Sequence, residues 1–243
     1  MLINDVIEKI ERSMLPIKGG EFMMGDIFRM YKPVIITHKI DAVLVKVDDF
    51  HICNHTITNA EWAGVMEETI DDVQLCDLPK INVSWHDAMC FIERLNQKSQ
   101  NTYRLPTEAE WEFAARGGTC SEGHFFSGKN FLDFVGWYKP NSNKKLHAVC
   151  KKQPNELGVY DMSGNVWEWC SDFYATRYQK GERKGVFTNA RYPILNPSGP
   201  LLGDCRVLRG GAYDSDEQEC WLFYRNKKKP SYYSKSIGFR LAY

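Results

Sequence analysis

Neither sign of charge is in surplus: 31 Lys and Arg stand against 31 Asp and Glu. No net field therefore exists to recruit nucleic acid or an anionic membrane. The sequence contains no run of about 18 apolar residues, which excludes a helical membrane span. Its eight cysteines (Cys53, Cys76, Cys90, Cys120, Cys150, Cys170, Cys205 and Cys220) include no Cys-x-x-Cys pair. That absence weakens zinc and thioredoxin-type readings. Internal repeats are missing, as is any low-complexity tract long enough to serve as a linker. The first residues also lack the unbroken apolar stretch of a signal peptide. Ile3, Val6, Ile7, Ile10 and Met14 fall at helical spacing with charges between them, which predicts a helix over residues 1–14.

What is present can form a core. The 243 residues are 43% apolar and 13% aromatic, enough for one large domain. The even cysteine count fits either scattered buried thiols or a few disulfides, and a chain of this size does not need cross-links. Three helix starts are legible: Thr58-Asn-Ala-Glu61, Ser84-Trp-His-Asp87 and Thr107-Glu-Ala-Glu110. Each places a hydroxyl at the N-cap and an acid three residues later, so that two orphan N–H groups are satisfied reciprocally. The second helix is expected to bury Trp85, Ala88, Met89, Ile92 and Leu95; the third follows Pro106 and stops at Gly117-Gly118. Val43, Val45 and Val47 alternate with Leu44 and Lys46, as in a strand with one buried face. Residues 119–157 and 176–204 read as long loops. The pattern predicts an α+β class, with helices on small sheets in a single irregular domain.

Trp85, Trp111, Trp167 and Trp169 are expected to join helices to sheet. Gly164 and the pair Gly210-Gly211 suggest positive φ or close backbone approach. Arg104, Glu108, Glu110, Glu112 and Glu168 lie too near these tryptophans for an idle surface and predict partly buried arginine–carboxylate pairs. The alternative for Glu108 and Glu112 is a solvated helix face. His51 and His55 share one face if extended, but no third ligand accompanies them, so they read as surface or half-buried histidines.

The segment from Arg206 is the most unusual. The flanks Arg206-Val-Leu-Arg-Gly-Gly211 and Ile237-Gly-Phe-Arg-Leu241 bracket Tyr, Ser, Asp, Asn and bulky aromatics that follow neither period 2 nor period 3.6. That composition suits a binding surface, where Tyr supplies rigid contact area and Ser and Asn adaptable hydrogen bonds. Trp221-Leu-Phe-Tyr-Arg225 has a competing reading as a buried strand with alternate residues inward. Arg225 and Arg240 read as framework residues paired with carboxylates.

Several segments in order resemble one family: Gly19-Gly-Glu-Phe-Met-Met-Gly25, Thr58-Asn-Ala-Glu-Trp62, Val83-Ser-Trp-His-Asp-Ala88, Tyr103-Arg-Leu-Pro-Thr-Glu-Ala-Glu-Trp111, Asp161-Met-Ser-Gly-Asn-Val-Trp-Glu-Trp169 and the flanks of the tail. This is similar to the formylglycine-generating-enzyme (sulfatase-modifying factor) domain, over residues 15–243. The resemblance implies a C-type lectin fold of that type, with little regular secondary structure, small antiparallel sheets and about three or four helices. Enzymes of the family carry a copper-binding cysteine pair after Arg-Gly-Gly; here Ser215 takes the first position and only Cys220 remains. The resemblance so amended implies no enzyme and no copper. It also suggests a Cys90–Cys220 disulfide, and a calcium ion held by Asp161 and Glu168 side chains and Gly164 and Val166 carbonyls, oxygen donors of the kind calcium prefers. A second calcium position of the enzymes meets Phe134 where an asparagine is expected. The histidine-bearing helical bundle of the iron-dependent branch is absent, and so is the sugar-binding Glu-Pro-Asn of ordinary lectins.

Within the family, the tail most resembles variable proteins diversified by retroelements, the treponemal ones in particular. That resemblance implies a hypervariable surface over 206–241, made of Tyr213, Asp214, Ser215, Asp216, Trp221, Phe223, Asn226, Tyr232, Tyr233, Ser234 and Ser236. The implied activity is recognition of an unknown protein or cell-surface ligand by a monomer. The implied place is a bacterial cell surface, as a lipoprotein whose leader is not in this sequence, with the cytoplasm as the alternative. The competing readings are an oxidase retaining Cys220 and a scaffold whose tail is simply folded.

Overall fold

The computed structural model of the chain describes residues 3–27, 42–176 and 192–243; the loop expected over 176–204 lies partly outside them. Helix α1 (Ile3–Ser13) turns its apolar stripe inward, burying Val6, Ile7 and Ile10. Strand β1 (Met14–Ile17) pairs antiparallel with β4 (Phe50–Cys53). Strands β2 (Gly20–Met24) and β3 (Val43–Val47) form an antiparallel hairpin pair, to which β6 (Ile194–Leu195) adds in parallel. Helices α2 (Asn59–Met66), α3 (Trp85–Asn96) and α4 (Glu108–Ala115) each begin at a complete capping box, on Thr58, Ser84 and Thr107. A short α5 spans Leu132–Val135. The largest sheet has the order β8-β7-β5-β9: β8 is Asn226–Lys228, β7 Arg206–Arg209, β5 Trp167–Phe173 and β9 Ile237–Gly238.

The α+β class holds, with two differences of detail. Five α-helices lie among the described residues, and two pairings, β3–β6 and β5–β9, are parallel. The β5–β9 pairing arises because the tail leaves β7 and re-enters on the other side of β5, where Trp167 N–H donates to Ser236 O at 2.8 Å. Beyond β9 the chain runs back along β4 and Arg104. His51 and Tyr243 exchange two main-chain bonds (2.8 and 3.0 Å), as do Arg104 and Ala242 (both 2.8 Å). Among the described residues no helix is long and apolar enough to cross a membrane.

Trp111 and Trp169 are fully buried, and Trp167 nearly so. Trp85 lies at the core's edge instead, half-buried with the Arg206 guanidinium 4.0 Å above its ring and its N–H on Cys170 O. On α3 the inward residues are Ala88, Phe91, Ile92 and Leu95; Met89 is only partly covered, because Phe91 takes the central place between Trp62 and Phe239. The disulfide expected between Cys90 and Cys220 is absent, and all eight cysteines are free. Cys90 is on the exposed face of α3, while Cys220 packs against Phe126, Leu132, Val135 and Tyr138.

Buried ion pairs tie these layers together. Arg240 donates to both oxygens of Glu168 (2.7 and 2.6 Å) and to the carbonyls of Cys53 and Tyr160, and Trp111 N–H adds a 2.7 Å bond to the same carboxylate. Glu108 holds Arg225 with two bonds. Glu112, one helical turn on, takes Arg209 and Arg116. Removing one partner strands the other charge in a dry site, at a cost of about 3–5 kcal/mol. Arg240→Met is therefore expected to lose about that much stability in urea unfolding, and Glu168→Gln added to it to recover part of the loss. A loss below about 1 kcal/mol for Arg240→Met would contradict the assignment.

Candidate functional site

The tail between β7 and β9 is fixed through its backbone. Gly210 and Gly211 (φ +97° and +75°) turn the chain out of β7, and a Cβ on Gly211 would sit 2.5 Å from Cys220 Sγ, so glycine is required there. Tyr213 N–H then donates to Asn165 O (2.9 Å), Ser142 Oγ to Tyr213 O (2.6 Å), and Lys139 N–H to Ser215 O (3.0 Å). Leu222 N–H reaches Phe125 O, Trp85 N–H reaches Pro230 O and Asn82 N–H reaches Ser234 O. The two halves of the tail converge on the start of β5: Tyr213 bonds Asn165, and Ser236 bonds Trp167, two residues on.

The side chains divide into exposed and packed sets. Asp214, Asp216, Tyr232 and Tyr233 face solvent, the last two at 42% and 64% exposure. Tyr213, Trp221, Asn226, Ser234 and Ser236 are half-buried. Asp216 caps a short 3-10 turn over Glu217–Cys220 and pairs with Lys139 at 2.9 Å. Ser234 and Ser236 hydroxyls meet at 3.2 Å. Ser215 and Phe223, placed on the binding surface by composition, are instead buried. Ser215 closes a turn with its N–H on Ala212 O. Phe223 goes inward with Leu222 and Arg225, so the strand-like alternation expected over Trp221–Arg225 is not realised. Asn226 stands on β8 opposite Leu208, not in either exposed loop.

The positions suggested for calcium are unequal as donors. Asp161 is buried at φ +56° with Oδ2 accepting from Cys150 N–H (2.9 Å), while Oδ1 has no partner. Burial pushes its carboxyl up to about 6. Gly164 takes φ +99°, and a Cβ there would strike Trp137 O at 2.3 Å; its carbonyl accepts from Val166 N–H. Glu168, by contrast, has both oxygens engaged by Arg240 and Trp111. The orphaned Asp161 oxygen fits a cation; Glu168 fits one only by giving up part of its hold on Arg240.

Two further clusters escaped sequence reasoning. His55 is buried, with Nε2 3.1 Å from Glu61 and Nδ1 facing Cys53 Sγ at 3.9 Å. Burial alone would lower its pKa, but the Cys53 and Glu61 charges raise it to about 11, and the Cys53 thiol is correspondingly lowered. His51 is apart from it, stacked on Tyr243, so the two histidines share no metal. Cys220 is the opposite case: burial pushes its thiol well up, which leaves it protonated and a poor metal ligand. The second cluster centres on Asp172, buried at the end of β5. Its Oδ2 accepts from Glu108 N–H (2.8 Å), satisfying one orphan donor at the start of α4, and from Ser171 Oγ (3.1 Å). Burial and then the Glu108 charge raise its carboxyl to about 7.

The profile of the Sulfatase-modifying factor enzyme 1-like domain family matches residues 4–243. The formylglycine-generating enzyme of Streptomyces coelicolor is 27% identical over 95% of this chain and 89% of its own. The serine/threonine-protein kinase pkn1 of Chlamydia pneumoniae is 27% identical over 97% of this chain, which spans 38% of that longer protein. Among solved structures, Treponema denticola variable protein 1 superposes with a TM-score of 0.76 and 28% identity, covering 94% of each chain.

The Asp172 environment has a measurable consequence. With a folded pKa of about 7 against about 3.9 unfolded, the native state holds an extra proton between those values. Its contribution is present at low pH and is lost as pH rises from about 4 to 7, by a few kcal/mol at most. Asp172→Asn keeps the acceptor for Glu108 N–H and removes the titration. Relative to wild type, the variant should gain stability steadily over that pH range in urea melts; a constant difference would contradict the assignment.

Proposed function

The chain belongs to the sulfatase-modifying factor enzyme 1-like domain family, and on that footing we propose that it is a non-enzymatic binding protein whose C-terminal segment carries an exchangeable recognition surface. The observation that carries this reading is the separation of roles in the tail. Position is set by main-chain bonds at 213, 215, 222, 230, 234 and 236, whereas Asp214, Asp216, Tyr232 and Tyr233 project into solvent. Backbone anchors do not depend on side-chain identity, so those four positions can change with the scaffold kept, Asp216 alone giving up a turn cap and an exposed pair with Lys139. Tyrosines on rigid backbone lose little entropy on contact and tend to dominate binding energy. The likeness to a protein named as variable, at 28% identity across the chain, supports the same reading.

Relatives that are formylglycine-generating enzymes supply the alternative of an oxidase. Its two-thiolate chemistry has little footing here: Ser215 occupies one position, and Cys220 is buried and held protonated. Incubation with copper, oxygen and a cysteine-containing peptide is expected to leave the peptide's thiol unchanged; conversion to an aldehyde would overturn the binding-only reading.

A library randomised at Asp214, Asp216, Tyr232 and Tyr233 tests the surface directly. Most members should unfold within about 0.5 kcal/mol of wild type, and panning against a panel of purified proteins should enrich different residues for different targets. Broad loss of folding in the library would sink the idea. Control libraries at Ser215 and Phe223 should lose folding often.

We further propose a structural calcium ion at Asp161 with the Gly164 and Val166 carbonyls, Glu168 remaining with Arg240. The orphaned Asp161 oxygen supports it, and the ion would supply charge neutralisation to the loop that receives the tail. Millimolar calcium is expected to raise the melting temperature above that in EGTA by a few degrees, and Asp161→Ala to abolish the shift; equal melting in both solutions rules the ion out.

A further inference from the structure

A cavity of about 580 Å³ lies away from the exposed tail loops, between the end of β5, the start of α4 and the segment after β6. Its volume falls in the range of small-molecule sites, about 300–1,000 Å³. Glu108, Asp172 and Arg225 form its polar floor. Two of these are satisfied by one another, since both Glu108 oxygens accept from Arg225. Asp172 is the exception. It is 97% covered, its Oδ2 is used twice, and its Oδ1 has no hydrogen-bond donor among the described residues. That oxygen lies at the wall where Gly199 approaches Asp172, 3.3 Å from where a Cβ on Gly199 would sit.

The opposite wall is rigid. Asn196 is clamped to Asp48 by reciprocal bonds, Oδ1 from Asp48 N–H (2.9 Å) and Nδ2 to Asp48 Oδ2 (2.7 Å), and its own N–H donates to Lys46 O. Pro197 and Pro200 restrict the turn that follows, and Gly199 at φ +74° admits the close approach. The mouth carries three leucines with little cover: Leu195 at 66%, Leu201 at 91% and Leu202 at 85% exposure. The polar floor carries two carboxylates against one guanidinium, and that guanidinium is already held by Glu108, so the cavity favours a cation. A carboxylate entering it meets Glu108 and Asp172; an alcohol can donate to the oxygen but brings no opposite charge.

We propose that this cavity binds a primary ammonium group carried on an apolar body, the nitrogen donating to Asp172 Oδ1 and the body covering Leu195, Leu201 and Leu202. The site stands independently of the tail surface. The raised Asp172 carboxyl agrees with it, because a neighbouring cation is what would return that group to its ionised form. Two sources share the chemistry, a free alkylamine and a lysine side chain of a peptide.

Calorimetric titration of the full chain distinguishes them, with n-hexylammonium, n-hexanol, hexanoate and a Leu-Lys-Leu peptide capped at both ends as probes. Hexylammonium is expected to bind about tenfold or more tightly than hexanol, from a charge-assisted bond, and hexanoate more weakly still. Asp172→Asn, isosteric and still an acceptor for Glu108, should erase the preference for the amine while leaving hexanol binding in place. Leu201→Ser with Leu202→Ser, at solvent-facing positions, should weaken every probe. Binding of the capped peptide assigns the lysine source; its failure beside hexylammonium binding assigns the free amine. Absence of saturable hexylammonium binding, equal binding of hexanoate, or an amine preference that survives Asp172→Asn overturns the proposal.

Discussion

The structure depends on a set of arginine–carboxylate pairs that no water reaches. Glu108 and Glu112 are one turn apart on α4, which puts both on one face, and Glu168 sits on β5 against Trp111. Arg116 at the end of α4 is one partner of Glu112, and the other partners, Arg209, Arg225 and Arg240, come from the C-terminal segment. Desolvating such charges costs several kcal/mol each unless geometry is right, so the pairs act as a registration device. Surface pairs such as Arg12–Glu8 and Lys18–Asp49 contribute little by comparison. The three arginines hold the tail at fixed intervals, and between them the buried Ser215, Cys220, Leu222 and Phe223 alternate with solvent-facing positions such as Asp214 and Asp216.

This explains how a segment with so little regular structure keeps its shape. Between Gly211 and Ile237 only the three residues of β8 belong to a strand. The rest is suspended on bonds from Lys139, Ser142, Asn165, Trp167, Asn82 and Trp85, all on other parts of the chain. The donors and acceptors on the tail's side are main-chain atoms. The position of the segment thereby draws on main-chain atoms and leaves the solvent-facing side chains of the same residues uncommitted.

What could be read from the sequence was what is local or carried by recurring motifs. The capping boxes on Thr58, Ser84 and Thr107 involve atoms three residues apart, and all three formed. The need for arginine–carboxylate pairing was visible from the crowding of acids near tryptophans, but not which acid each arginine of the tail would meet, because those partners are 72 to 117 residues apart. Composition assigned Ser215 and Phe223 to the surface because it carries no direction. Only the turn after Gly211 and the packing of Cys220 decide which way those side chains go. Asp172 gave no sign in sequence, since its unusual acidity depends on Glu108 arriving from α4. The exchange of Trp85 for Phe91 at the centre of α3 was equally hidden: both fit a helical stripe, and the ring of Phe239 decides between them.

The final strand-like run, from Phe239 to Tyr243, is stitched between β4 and Arg104 and buries Phe239, Arg240, Leu241 and Ala242. It lies downstream of every exposed position in the tail. A translation product that shifts frame or stops between Gly211 and Ile237 therefore forfeits the counter-ion of Glu168 and a wall of the core together. Such a product leaves Glu168 buried without its guanidinium, a loss of the several-kcal/mol kind. An intact fold in this way reports a reading frame kept through the end of the tail.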